Sequence, residues 1–347
     1  MIPYIKTAGT DIVYWLRKDP RKFLGLLKTL IFRRWYGFEK TGENLWAFLC
    51  ALGLARGFYK ERIQHIHAPW ASGPATAAWA ASHLTGIPFS FTARAWDIYP
   101  PDGLLKEKIN DALFIRSETF HNIAHLAQFA DGREEKIHLT YNGVPLEAER
   151  DSQVSMIPPY QFLSVGRFVG KKGYEYLLEA CKILKEAGLE FNLILAGDGP
   201  LKRKLKRLSR GFGLEEMVSF PGFVSHDRIS KLFESVDIFL MPSVIHSSGD
   251  RDGIPTVIME ALLHRLPVIA TDVSGISELI ENTKTGLLIE EKNALAIAKG
   301  VLELLGDRES AINMAELGRS RVLELFEPTK NHEKVLLLYE KAIISER

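Results

Sequence analysis

The chain has 347 residues, 46% hydrophobic and 25% charged, with a formal net charge of +1. That length suits about two domains of a globular protein, and near-neutrality excludes bulk attraction to nucleic acid, so no nucleic-acid partner is expected. The two cysteines, Cys50 and Cys181, are too few for a disulfide or zinc framework and suit a reducing compartment.

Residues 1–62 read as helices, with Phe23, Leu26, Leu27 and Leu30 at helical spacing. Residues 1–40 hold nine basic side chains (Lys6, Arg17, Lys18, Arg21, Lys22, Lys28, Arg33, Arg34, Lys40) against three acidic ones (Asp11, Asp19, Glu39). Trp15, Trp35 and Tyr36 are interleaved with them. Two readings stand: a basic, aromatic, amphipathic region on an anionic membrane surface, or a core-packed helix with a solvated basic face. The most apolar run, Leu45–Ala55, is too short to span a bilayer, and the N-terminus has no signal-peptide pattern.

From residue 63 the pattern alternates between strands and helices. Strands are expected at Ile63–His67, Ile87–Thr92, Ala112–Arg116 and Ile137–Tyr141, and helices at Ala75–Leu84, Lys106–Asn110 and Ser117–Ala130. Residues 145–158 are polar and read as a linker. A second alternating run begins with the strand Phe162–Gly166. A helix face follows at Tyr174, Leu177, Leu178, Cys181 and Leu184, with Gly188 as its stop. Further strands are expected at Phe191–Ala196, Met217–Phe220, Val236–Met241, Pro267–Thr271 and Gly286–Ile289, with a helix opened by Pro200 and another marked by Ile229, Leu232 and Phe233. The last helical pattern is Asn331–Ile344. Such alternation argues for parallel sheets covered by helices.

The stretch from Ser247 to Ala261 carries the chemistry. It follows a buried strand and enters a helix whose first position is expected at Pro255, where a missing N–H costs nothing. Loop amides and a helix N-terminus favour an anion. Asp252 and Glu260 flank this cluster, eight positions apart. With a diphosphate on the amides and nearby cations, both carboxylates are left to accept sugar hydroxyls, which discriminates strongly against ligands lacking them. Earlier in the chain, Gly166–Arg167–Phe168–Val169–Gly170–Lys171–Lys172–Gly173 places three further cations after a strand. No Asp-x-Asp pair ends a strand and no His/Cys cluster has ligand spacing, so no metal and no cofactor is expected.

An acid, seven residues and a Glu, with Gly-Ile-Pro between, resembles the motif of retaining nucleotide-sugar glycosyltransferases of the GT-B fold. Asp250–Arg251–Asp252–Gly253–Ile254–Pro255 is similar to the colanic-acid and exopolysaccharide branch. The resemblance runs from about residue 63 to 345, densest between 160 and 290. It implies an α/β chain of two Rossmann-like domains facing across a cleft: an acceptor-side domain at 1–150, a donor domain at 151–325, and a helix at 326–347 crossing back to the first. It also implies a strand, loop and helix ahead of residue 63. Two or three N-terminal strands are therefore expected to be missing, through a truncated start or a partner that completes the sheet.

The resemblance implies roles residue by residue. Arg167 and Lys172 match the family's Gly-Arg-x4-Lys-Gly and fall on the donor diphosphate. Asp252, shorter than the usual Glu, falls on a donor-sugar hydroxyl, and Glu260 on the ribose. Gly253, Ile254 and Thr256 offer backbone amides. Gly197, in Gly197–Asp198–Gly199–Pro200, either lines the nucleotide or belongs only to a turn. Gly222–Phe223–Val224 matches a segment framing the base, and Val273–Glu278 is assigned mainly to fold. Arg94 stands where the family has a His; it cannot deprotonate but can orient a hydroxyl or an anionic sugar. His65 and His67 resemble a His-x-His strand end, and two readings stand for each: a side chain facing the cleft or a satisfied core histidine. The implied activity is sugar transfer from a nucleotide-diphosphate donor to a saccharide or lipid-linked acceptor, in the cytoplasm or peripherally at the inner face of the membrane. The rival is a GT-B-like nucleotide-binding subunit that needs a partner chain.

Overall fold

The computed structural model describes residues 8–32, 38–146 and 154–344, and these divide into two compact units: one up to Tyr141 and again from His332, the other from Asn142 to Asn331. Lys6, Arg33, Arg34, Trp35, Tyr36 and the centre of the expected linker lie outside the described residues.

The first unit opens with three helices, α1 (Ala8–Lys18), α2 (Pro20–Phe32) and α3 (Phe38–Glu61). Then β1 (Ile66–Ala68), α4 (Gly73–Thr85), β2 (Phe89–Ala93), α5 (Ala95–Ile98), α6 (Leu105–Asp111), β3 (Ile115–Ser117), α7 (Phe120–Ala127) and β4 (Ile137–Leu139) follow. The four strands form a parallel sheet in the order β1-β2-β3-β4. No strand precedes β1 among the described residues; α1–α3 occupy that part of the chain. Their inward stripes are Phe23, Leu26 and Leu30 from α2 and Phe48, Ala51, Leu52 and Ala55 from α3, all buried. Each large apolar side chain so buried contributes roughly 1.5–3 kcal/mol. Trp15 of α1 is fully buried and donates its indole N–H to the Leu52 carbonyl at 2.9 Å.

The second unit runs β5 (Tyr160–Val165), α8 (Tyr174–Glu186), β6 (Phe191–Ala196), α9 (Lys202–Gly211), β7 (Val218–Gly222), α10 (His226–Glu234), β8 (Ile238–Met241), α11 (Thr256–Leu263), β9 (Val268–Thr271), α12 (Ile276–Leu279), β10 (Leu287–Ile289), α13 (Ala294–Gly306) and α14 (Arg308–Leu325). The last helix, α15 (Pro328–Ile344), belongs to the first unit from His332 onward. The sheet is parallel, ordered β10-β9-β8-β5-β6-β7. Strands β8 and β9 are buried at every residue, as parallel strands covered on both faces must be. Strand β5 lies between β6 and β8, so the chain leaves it in one direction and later returns on the other side. Ligands of open α/β sheets bind at such a reversal, beyond the carboxyl ends of the strands.

Three expectations shift. Helix α11 begins at Thr256 with Pro255 as its cap residue, because Pro255 is extended (ψ 123°). Helix α9 begins at Lys202: the Leu201 amide bonds Phe168 O at 3.1 Å, which keeps Gly199–Pro200 in a turn. Helices α13 and α14 fill a stretch to which the sequence reading assigned no element.

Candidate functional site

Two loops converge beside the reversal of the second sheet. The first leaves β5 as Gly166–Gly173, and the second leaves β8 as Pro242–Pro255. Their backbones touch, since the Val244 amide donates to Lys171 O at 2.8 Å. Gly173 has φ +63°, and a Cβ there would stand 1.9 Å from Pro242 O. Only glycine fits that conformation at that distance. Gly197 is confined in the same way, its Cβ position falling 1.9 Å from Gly166 O. The ends of β5, β6 and β8 are thus stitched together through backbone contact.

The charged groups meet on this scaffold. Lys172 Nζ lies 2.7 Å from Asp252 Oδ2, and Lys171 Nζ lies 3.0 Å from Asp250 Oδ1 and 3.5 Å from Asp252 Oδ1. All four side chains are partly buried, Lys172 at 12% and Asp252 at 15% exposure. Asp252 is therefore engaged by cations, and not free as the sequence suggested. Ser243 Oγ stands 3.5 Å from Asp252 Oδ2. The Tyr174 hydroxyl is buried nearby, and burial together with the Asp252 charge drives its pKa upward. The sequence reading gave Lys171, Asp250, Ser243 and Tyr174 no role of their own in the site. The Lys171–Lys172 doublet and the Asp250–Arg251–Asp252 triplet were the available signal.

A hollow of about 330 Å³ adjoins this cluster at the carboxyl ends of β5, β6 and β7, lined by Gly166, Arg167, Gly197, Asp198, Phe223 and Val224 among others. Arg167 is exposed there. Phe223 is 83% exposed and offers a bare aromatic face beside it. Asp198 faces its own loop, bonding the Gly199 amide at 2.8 Å and Lys202 Nζ at 2.5 Å, so Gly197 both lines the hollow and builds the turn. Gly253, Ile254 and Thr256 lie on the chain leading into α11, whose N-terminus has no side-chain cap. Its first amides thus lack intrahelical acceptors. Glu260 sits in the second turn of α11, half-buried. No group of acidic, His or Cys side chains among the described residues could hold a metal ion.

The family model described as glycosyl transferases group 1 matches residues 147–321, half of the chain. The chain belongs to the group 1 glycosyl transferases. Among relatives of the family, an Escherichia coli protein named for colanic acid biosynthesis, WcaL, is 40% identical over 141 residues, covering 41% of this chain and 35% of its own length. The Erwinia amylovora amylovoran biosynthesis glycosyltransferase AmsK is 35% identical over 189 residues, covering 54% of this chain and 46% of its own. The chain thus spans under half the length of either relative. The crystal structure of Anabaena HepE in complex with UDP and glucose superposes with a TM-score of 0.70 at 18% identity, covering 84% of this chain and 81% of that one. That likeness establishes the fold, the two-sheet parallel α/β architecture of GT-B enzymes.

In the first unit, Arg94 precedes α5 at the end of β2. Its Nε lies 2.9 Å from Glu118 Oε1 and its guanidinium sits 4.4 Å from the Trp70 ring centre. Glu118 already offsets its charge, so a neutral hydroxyl suits this position better than an anionic sugar. His65 and His67 share the Ser90 hydroxyl (2.7 and 2.8 Å), and His67 also meets Thr92 Oγ1 at 3.1 Å. Tyr339 of α15 packs edge-on against both rings. They form a half-buried polar network, and His67 also lines a hollow with side chains of α3 and α4.

Burial, then His65 and Arg116, pushes the His67 pKa from 6.5 down to about 4. The unfolded chain therefore binds this proton first on acidification. Stability from neutral His67 is fully present above pH 6.5 and is lost as pH falls toward 4. Asp97 acts in the opposite sense: burial raises it from 3.8 to about 6, so its contribution grows as pH falls through that window. The expected result is therefore a difference. Between pH 7 and 5, the Tm of the parent should fall relative to that of His67→Gln by a few degrees; parallel Tm curves for the two would contradict it.

Proposed function

We propose that the chain transfers a sugar from a nucleotide-diphosphate donor, with retention, to a saccharide or lipid-linked acceptor in polysaccharide biosynthesis. One observation carries this reading: the Gly166–Gly173 and Pro242–Pro255 loops meet at the sheet reversal and bring Lys172 onto Asp252 at 2.7 Å, next to a hollow holding Arg167. The names of the WcaL and AmsK relatives, both from polysaccharide biosynthesis, support it.

In this reading Arg167 and Lys172 take the diphosphate, Arg in a bidentate manner and Lys as a point charge. The amides of Gly253, Ile254 and Thr256 add donors, Asp252 holds a sugar hydroxyl, and Glu260 accepts the ribose hydroxyls. The bond from the anomeric carbon to the phosphate oxygen breaks as the acceptor oxygen bonds to that carbon from the same face. The acceptor proton passes to the departing phosphate oxygen. Arg167 and Lys172 stabilise the negative charge that builds on the diphosphate. Such a front-face displacement needs no enzymatic nucleophile.

Calorimetric melting against UDP, GDP, ADP and their sugar conjugates tests the donor site. A nucleotide at a hundred times its Kd adds about 2.7 kcal/mol, which is on the order of 5–10 °C for a unit of this size. One base should raise the Tm, and Glu260→Ala should abolish the shift. No shift for any nucleotide overturns the donor-site assignment. A shift without transfer to any acceptor leaves the nucleotide-binding-subunit reading. Anomeric NMR of the product checks retention.

A further inference from the structure

The helices α1–α3 stand outside the donor chemistry, and their outer surface has an unusual make-up. On α2 the inward stripe is Phe23, Leu26 and Leu30. The opposite face carries Arg21, Leu24, Lys28, Ile31 and Phe32, which at 100° per residue fall within an arc of about 100°. Leu24 is 53% exposed, Ile31 60% and Phe32 78%. On α3 the exposed stripe begins apolar, with Leu45, Trp46 and Leu49, and turns basic at Arg56 and Lys60. Between α1 and α3 lies a hollow of about 420 Å³ lined by Thr10, Val13, Tyr14, Arg17, Lys18 and Arg56. Asp11 is the acidic side chain beside it, and it is buried and consumed by Arg56 at 2.5 Å.

Single exposed apolar side chains are ordinary on a protein surface. Here they alternate with cations along the outer faces of consecutive helices. We infer that the outer face of α1–α3 docks on an anionic bilayer, with phospholipid phosphates at Arg17, Lys18, Arg21 and Lys28 and with Leu24, Ile31, Phe32 and Trp46 in the headgroup–acyl boundary. Charge complementarity selects this occupant. Buried protein interfaces are depleted in lysine, and pairing this face with a second copy sets like charges against each other. A headgroup layer takes both components, since long basic side chains reach phosphates while their stems and apolar neighbours sit deeper. No helix among the described residues is long and apolar enough to cross a membrane, so the contact lies in the plane of the interface. The inference rests on the transfer reading only for its purpose, bringing the chain to lipid-linked acceptors; the docking itself needs no donor or acceptor.

The test is co-sedimentation of the full chain with vesicles of phosphatidylcholine alone and of phosphatidylcholine with phosphatidylglycerol, at low and high salt. Binding is expected only with the anionic lipid, weakening as salt rises. Reversing Arg17, Arg21 and Lys28 together to Glu should lower the partition coefficient about a hundredfold. Leu24→Ser with Ile31→Ser and Phe32→Ser should lower it at least tenfold. All six positions are exposed, and an unchanged circular dichroism spectrum confirms that each variant folds. Equal binding to neutral vesicles, no binding to anionic ones, or variants that bind like the parent would overturn the inference. So would a concentration-dependent dimer in sedimentation velocity that the Ser variant abolishes. Nucleotide melting shifts should be the same in parent and variants, so failure here is distinguishable from failure of the donor site.

Discussion

Arg167→Ala and Lys172→Ala are each expected to lower sugar transfer by about two to three orders of magnitude, the usual effect of removing one group that stabilises developing charge. The loss should fall mainly on kcat, because negative charge grows on the diphosphate only as the bond breaks. Neither variant should disturb the fold. Arg167 is exposed, and in Lys172→Ala the Asp252 carboxylate still has Lys171 at 3.5 Å. Lys172→Arg keeps a cation and should recover part of the rate. Lys204→Ala, which removes an exposed ion pair with Glu175, serves as a control with parent-like turnover. Steady-state transfer kinetics decide the matter: near-parental kcat in both Arg167→Ala and Lys172→Ala would sink the assignment.

Much of the donor-side architecture was legible because it is local. Alternating apolar runs set the strands of the second sheet, and Phe191–Ala196 matched residue for residue. The loops bearing Arg167, Lys172 and Asp252 were marked by glycines whose need is now visible in the contact of Gly173 with Pro242 and of Gly197 with Gly166. What stayed hidden was long-range. Lys171 meets Asp250 across 79 positions, because β5 neighbours β8 in the sheet, and no periodicity encodes that order. The same pairing turned Asp252 from a free acceptor into a partner of two lysines. Helices α13 and α14 went unread for a related reason. Gly300, Gly306 and Gly318 lower their helix propensity, yet Gly318 lets α14 pack closely on α11. A Cβ there would stand 2.5 Å from Leu262 Cδ2.

The first unit holds a second large expected effect, one of stability. Lys108 of α6 is fully buried, with no exposed surface. Its ammonium donates to the Asp102 carboxylate, to Ala71 O and, at 3.3 Å, to Thr76 Oγ1. Thr76 in turn donates to Asn44 of α3, so one buried cation links α3, α4 and α6. Lys108→Met fills a similar volume but strands the Asp102 charge at 5% exposure. Breaking a buried pair from one side costs about 3–5 kcal/mol. A companion variant, Lys108→Met with Asp102→Leu, removes both charges and should regain most of that loss, since an apolar replacement of a buried pair is often neutral. The two units can be watched separately. All six tryptophans (Trp15, Trp35, Trp46, Trp70, Trp79 and Trp96) precede residue 97, so tryptophan fluorescence during urea unfolding reports the first unit alone. Its midpoint should drop sharply in Lys108→Met and return toward the parent in the double variant. An unchanged midpoint in the single variant would show that Asp102 finds water or another partner when Lys108 is gone. A double variant as unstable as the single one would instead assign the cost to the lost bonds at Ala71 and Thr76, and the ammonium would then matter as a hydrogen-bond donor to those two groups more than as a counter-charge.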